Sequence, residues 1–109
     1  MKGITAPGPG GPEVLTLGDH PLPTLGDTDV LIEVAAAGVN RPDCLQRAGG
    51  YPPPPGAPTI FGLEVAGIVV AAGSSVTRRK VGDKVMALVQ GGGYAESCAS
   101  DEATTLPIP

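Results

Sequence analysis

The sequence predicts a small, mainly β domain: a barrel or sandwich of short strands with one or two short helices. Apolar residues alternate with polar ones in short runs, the period-two pattern of half-buried strands. Turn formers punctuate these runs densely, with 17 Gly and 13 Pro among 109 residues. Only one segment, Asn40 to Ala48, carries helix start and stop signals. The length suits one domain spanning 1–109, with a thin core.

Met1 to Ala6 opens a strand, and Pro7 to Pro12 is a Gly/Pro turn. Val14 to Leu17 resumes the strand pattern, and Pro21 to Thr28 reads as loop. Val30 to Val39 is the clearest strand. Val30, Ile32 and Val34 share one face, and Leu31, Glu33 and Ala35 the other. Asn40 is a good N-cap, with Pro42 in the first turn and Asp43 at the third helical position. Gly49 and Gly50 end that helix. Tyr51 leads into Pro52 to Pro55, a stiff extended loop. Leu63 to Ala71 is a second strong strand, closed by Gly73 to Ser75. Val81 to Asp83 turns the chain into Lys84 to Val89. Gly91 to Gly93 is a further turn, followed by weaker strands at Tyr94 to Ala99 and Thr104 to Ile108.

So much Gly and Pro raises the question of disorder. Val, Ile, Leu and Phe nevertheless number 26 of 109, above the share of roughly 20% below which chains stay unfolded. Net charge is −4, and Arg78-Arg79-Lys80 is the only basic run, expected to be a solvated turn. Nucleic-acid binding is not expected, because that affinity depends on neutralising phosphates. Cys44 and Cys98 stand far apart, in neither a disulfide framework nor a zinc ribbon, and are expected to be small buried residues. No apolar run approaches a membrane span, and no secretory signal is visible, so the expectation is a soluble cytoplasmic protein.

Two Gly-rich stretches begin a dinucleotide fingerprint and fail. Gly8 and Gly10 are followed by Glu13, and Gly91 and Gly93 by Glu96, where the third glycine belongs. A zinc site needs three or four converging ligands, and the one histidine, His20, is expected in an exposed loop. No G-x-S-x-G occurs to support a Ser-His-Asp triad.

Four motifs carry a family resemblance. They are the run from Val30 to Asp43 (VLIEVAAAGVNRPD), Gly62 to Gly67 (GLEVAG), Val81 to Val85 (VGDKV) and Gly92 to Glu96 (GGYAE). In this order the chain resembles the N-terminal GroES-like catalytic domain of medium-chain dehydrogenases/reductases. Zinc alcohol dehydrogenases place a Cys ligand where this chain has Asn40, and a His-Glu pair where it has Leu63-Glu64. Their four-cysteine lobe has only Cys98 to match it here. Gly-Val-Asn with a following acid, then Tyr-Pro-Pro-Pro, is similar to the quinone oxidoreductases, and most to their p53-inducible group. The resemblance implies a GroES-like β fold, NADPH as hydride donor, no zinc, and a quinone or activated enone as substrate. It also implies a homodimer when full length. In that family a Leu-Pro-x-Pro stretch like Leu106 to Pro109 leads on into a Rossmann domain, missing from this chain. The domain is therefore expected to be truncated, and inactive alone. The crystallin-type members carry a Tyr near the nicotinamide where this chain has Leu45, so the cofactor contact at Leu45 is expected to differ.

Without a metal, hydrogen-bond donors must stabilise the charge developing on a reduced quinone. Asn40 offers an amide whose NH2 remains free when its oxygen caps a helix. It is a candidate for catalysis and for the nicotinamide contact. Tyr51 offers a hydroxyl on a ring able to stack on a quinone. Asp43 is expected to support the helix start or orient Asn40. Glu64 shares a strand face with Ala66, Ile68 and Val70. If that face is buried, the acid needs a partner, for which Arg47 is the candidate. The alternative to an enzyme domain is a stand-alone GroES-like binding or assembly module, or an inactive fragment.

Overall fold

The computed structural model describes residues 1–50 and 56–109. The chain orders β1 (Lys2–Thr5), β2 (Thr16–Asp19), β3 (Asp29–Ala37), α1 (Arg41–Ala48), β4 (Glu64–Ala72), β5 (Lys84–Leu88), β6 (Ser97–Asp101) and β7 (Thr105–Pro107). Two 3₁₀ turns, Pro12–Val14 and Glu102–Thr104, precede β2 and β7. Every strand and the helix expected from the sequence is present. The largest displacement falls on the strand expected at Tyr94, which begins at Ser97 because Gly91 and Gly92 hold positive φ and the chain is still turning.

β1 and β2 form a two-stranded hairpin, and the other strands form a five-stranded sheet in the order β6-β3-β4-β5-β7. All pairs are antiparallel. The hairpin leans on the approach to β6: Ile4 donates to the Tyr94 carbonyl (2.9 Å) and Glu96 to the Lys2 carbonyl (3.1 Å). The fold is mainly β, but the sheets do not close into the expected barrel. β6 and β7 are the ends of the five-stranded order. β7 holds only three residues and ends on Pro107, which has no N–H to extend a ladder.

Alternation builds the core. Val30 and Ile32 of β3, Val65 and Val69 of β4, Val85 and Ala87 of β5, and Cys98 of β6 form one buried cluster. Strand parity then turns Glu64, Ala66, Ile68 and Val70 to the open face, where Ile68 and Val70 are 43% and 40% exposed. Glu64 therefore does not enter the core. The expected Arg47 partner is not there either: Arg47 Nε donates to the Gly10 carbonyl (3.2 Å).

The basic run is not a solvated turn throughout. Arg79 donates from Nε to Thr105 Oγ1 (2.9 Å) and from Nη2 to the Thr105 carbonyl (3.0 Å), tying the turn to β7. The buried Glu102 carboxylate accepts from the Arg78 N–H (2.7 Å) and the Thr77 N–H (3.2 Å). His20 is half-buried rather than exposed, and its Nε2 has no hydrogen-bond partner among the described residues. No helix among the described residues is long and apolar enough to cross a membrane.

The two cysteines part company. Cys98 is buried, as expected, whereas Cys44 is exposed. On α1 the inward position is taken by Asp43, and Cys44 lies about 100° further round the helix. Burial pushes the Cys98 thiol up to about 11. At pH 8 iodoacetamide is expected to alkylate Cys44 and spare Cys98, read by peptide mass spectrometry, because the thiolate is the reactive form. The neutral Cys98 thiol is favoured by folding. Its stability contribution is whole below the ordinary thiol range and is lost as pH rises towards 11.

Candidate active site

The site lies where β3 hands the chain to α1. Registers shift twice along β3, between Leu31 and Ile32 and between Val34 and Ala36. Such bulges bend a strand and re-aim the residues after it. Gly38 then donates to the Glu64 carbonyl (3.0 Å), keeping the chain beside β4 for one more residue. Asn40 has extended backbone (φ −126°, ψ 166°) and is the N-cap of α1, with Pro42 in the first turn. Gly49, at φ 94°, ends the helix in the left-handed conformation that glycine adopts without penalty.

Asn40 and Asp43 are brought together at this start in the arrangement of a capping box. Asp43 Oδ2 accepts the Asn40 backbone N–H (2.9 Å). The Asp43 side chain is 5% exposed, yet its negative charge sits at the positive end of the helix. Tyr94, from the Gly-rich turn before β6, completes the cluster. Its hydroxyl donates to Asp43 Oδ2 (2.8 Å) and lies 3.1 Å from the Gly38 carbonyl oxygen. Burial first, and then the bond to Asp43, push the Tyr94 phenol well above its ordinary value. It stays protonated and is a fixed donor rather than an acid.

Asn40 itself is exposed, and so are its chain neighbour Val39 (76%) and Leu45 of α1 (38%). An apolar groove of about 490 Å³ adjoins the site on the open face of the sheet, sharing Gly38 and Glu64 with it. Its floor is a cross-strand row, Ala36 to Ala66 to Met86 to Leu106. The arrangement offers an exposed amide two residues along the chain from Gly38, where the apolar groove ends. Tyr51 lies outside the described residues. Among the described residues no three or more His, Cys, Asp or Glu cluster as metal ligands would.

Sequence reasoning did not single out Tyr94 as a site residue. The available signal was its place in Gly92-Gly93-Tyr94-Ala95-Glu96, a large hydroxylated side chain between two glycines and an alanine.

The sequence matches the alcohol dehydrogenase GroES-like domain family over residues 26–109. Among curated proteins it is 42% identical to the quinone oxidoreductase of Rattus norvegicus over 102 residues, which cover 92% of this chain and 31% of that protein. Among solved structures it is similar to the Escherichia coli quinone oxidoreductase complexed with NADPH (32% identity, TM-score 0.92), covering 100% of this chain and 33% of that one. It is equally similar in fold to the human synaptic vesicle membrane protein VAT-1 homolog-like protein (35% identity, TM-score 0.92), covering 100% and 35%. The chain thus spans about a third of the length of the relatives it matches. With the motifs, the structural likeness and the family match in agreement, the chain belongs to the alcohol dehydrogenase GroES-like domain family of the medium-chain dehydrogenases/reductases.

Proposed function

We propose that residues 1–109 are the substrate-side domain of an NADPH-dependent quinone oxidoreductase that reduces quinones or activated enones without zinc. One observation carries the reading: an exposed Asn40 at a helix start, its backbone N–H held by buried Asp43, two residues along the chain from Gly38 in the lining of an apolar groove. A planar apolar acceptor fits such a groove, and the amide offers a hydrogen bond to an oxygen gaining negative charge.

The exposed apolar Val39, next to Asn40 in the chain, and Leu45 of α1 suit the flat nicotinamide end of NADPH. Nothing among the described residues suits its phosphates: Gly8 and Gly10 lead into a 3₁₀ turn, and Gly91 to Gly93 into a strand. The phosphates are assigned instead to the Rossmann domain that the family resemblance implies. When bound, NADPH supplies the hydride. The chain's own part is to bind the acceptor's ring, orient Asn40 through Asp43, and stabilise the acceptor oxygen. Tyr51, at the other side of the helix in sequence, is the second candidate donor. Asn40 and Leu63 are poor zinc ligands, and Glu64 alone makes no site, which supports metal-independent chemistry.

The test joins this domain to the rest of its chain and follows NADPH oxidation with a benzoquinone, before and after exhaustive chelation. Quinone-dependent oxidation that survives chelation is expected. No oxidation with any quinone removes the reading, and loss on chelation removes its zinc-free part. The open apolar face favours a second reading, a stand-alone assembly module. Light scattering separates the two, because a ring-sized oligomer of this domain belongs to the module.

A further inference from the structure

We infer that Tyr94 is a positioning residue that acts through Asp43 on Asn40, locking the short link between β3 and α1 on which the candidate donor sits. Three bonds define the relay. The Tyr94 hydroxyl reaches Asp43 Oδ2 at 2.8 Å and the Gly38 carbonyl oxygen at 3.1 Å, and the same Oδ2 accepts the Asn40 N–H at 2.9 Å. The hydroxyl has one proton, so these two acceptors share it. Gly38 is the last residue tied to the sheet, and Asp43 is in the first helical turn. Tyr94 therefore clamps both ends of the link that carries Val39 and Asn40.

The clamp itself is rigid. Tyr94 donates its backbone N–H to the Phe61 carbonyl (2.8 Å), and its own carbonyl accepts from Ile4 (2.9 Å). Gly62, at φ 103°, passes so close that a Cβ there would overlap the Tyr94 backbone. The other carboxylate oxygen, Asp43 Oδ1, is buried without a partner among the described residues. Asp43 thus depends on Tyr94 and on Asn40 for its satisfaction, and an unmet buried carboxylate is costly. Loss of the hydroxyl falls on the Asn40 bond, since that is the only other partner of the group among the described residues.

The consequence for catalysis rests on the proposed role of Asn40, but the test does not. Amide hydrogen exchange in the full chain reports the Asn40 N–H directly. Tyr94→Phe is expected to speed exchange at Asn40 by about tenfold, the size of one lost charge-assisted hydrogen bond. The Val69 amide, a β4 donor to the Asp83 carbonyl just before β5, is the internal reference and should stay within about twofold. Asp43→Asn should loosen Asn40 alone, and Tyr94→Phe added to it should do little more, because the two act in series. An unchanged Asn40 amide, an equal rise at Asn40 and Val69, or full additivity in the double variant overturns the inference. Should Tyr94→Phe not fold, Asp43→Asn decides: Asn40 exchange and the Tyr94 ring signals must both change. If quinone reduction is absent while this coupling is present, the functional reading fails and the relay stands.

Discussion

Asn40→Ala is expected to lower kcat/KM for quinone reduction by about 100-fold or more in the whole enzyme, the range for losing one donor to a developing oxyanion. The variant also removes the helix cap, at a cost of about 1 kcal/mol. Asn40→Asp separates the two roles. It keeps an oxygen for capping, loses the NH2, and places a second carboxylate beside Asp43. If Asn40 is a donor, both variants lose activity, and Asn40→Asp loses at least as much. If Asn40 only caps α1, Asn40→Asp retains activity near that of the parent, and the candidate mechanism fails. Tyr51→Phe is expected to lower turnover by no more than about 100-fold, the low end for such a donor.

Ile32→Ala is expected to destabilise the domain by about 2–5 kcal/mol, the lost transfer energy plus the cavity left behind. Ile32 is fully buried at the centre of the cluster, opposite Val69 on β4 and Cys98 on β6. The core is thin, and domains of this size have only about 5–15 kcal/mol in all. Equilibrium urea unfolding should show a lower midpoint with an unchanged slope. A loss below about 1 kcal/mol would mean that the sheets close over the gap. Leu31→Ala is the natural comparison: it lies on the opposite face and is half-buried, so it should cost clearly less.

The range of each interaction sets how much of the fold and site was legible in the sequence. β3 was plain because Val30, Ile32 and Val34 repeat with period two, a rule that operates within one strand. The helix was plain because Asn40, Pro42, Asp43 and Gly49 each satisfy a local backbone need. The Asn40–Asp43 pair was legible for the same reason, being three residues apart. Glu64 was ambiguous, since alternation states that it sits with Ala66, Ile68 and Val70 but not which face is buried. Only the packing of Val65 and Val69 against Ile32 and Val85 decided that. Cys44 was misjudged because composition treats it as a small apolar residue, whereas its exposure comes from the angle of Asp43 on the helix.

The sequence by itself determined the order of elements, the β class, the helix start and its cap, because those depend on neighbours a few residues apart. The tertiary structure alone decided that the sheets stay open, that Arg79 holds β7 through Thr105, and that Tyr94 reaches Asp43 from 51 residues away. Contacts of that separation depend on how faces are buried, and burial is set by the whole fold rather than by any segment of it.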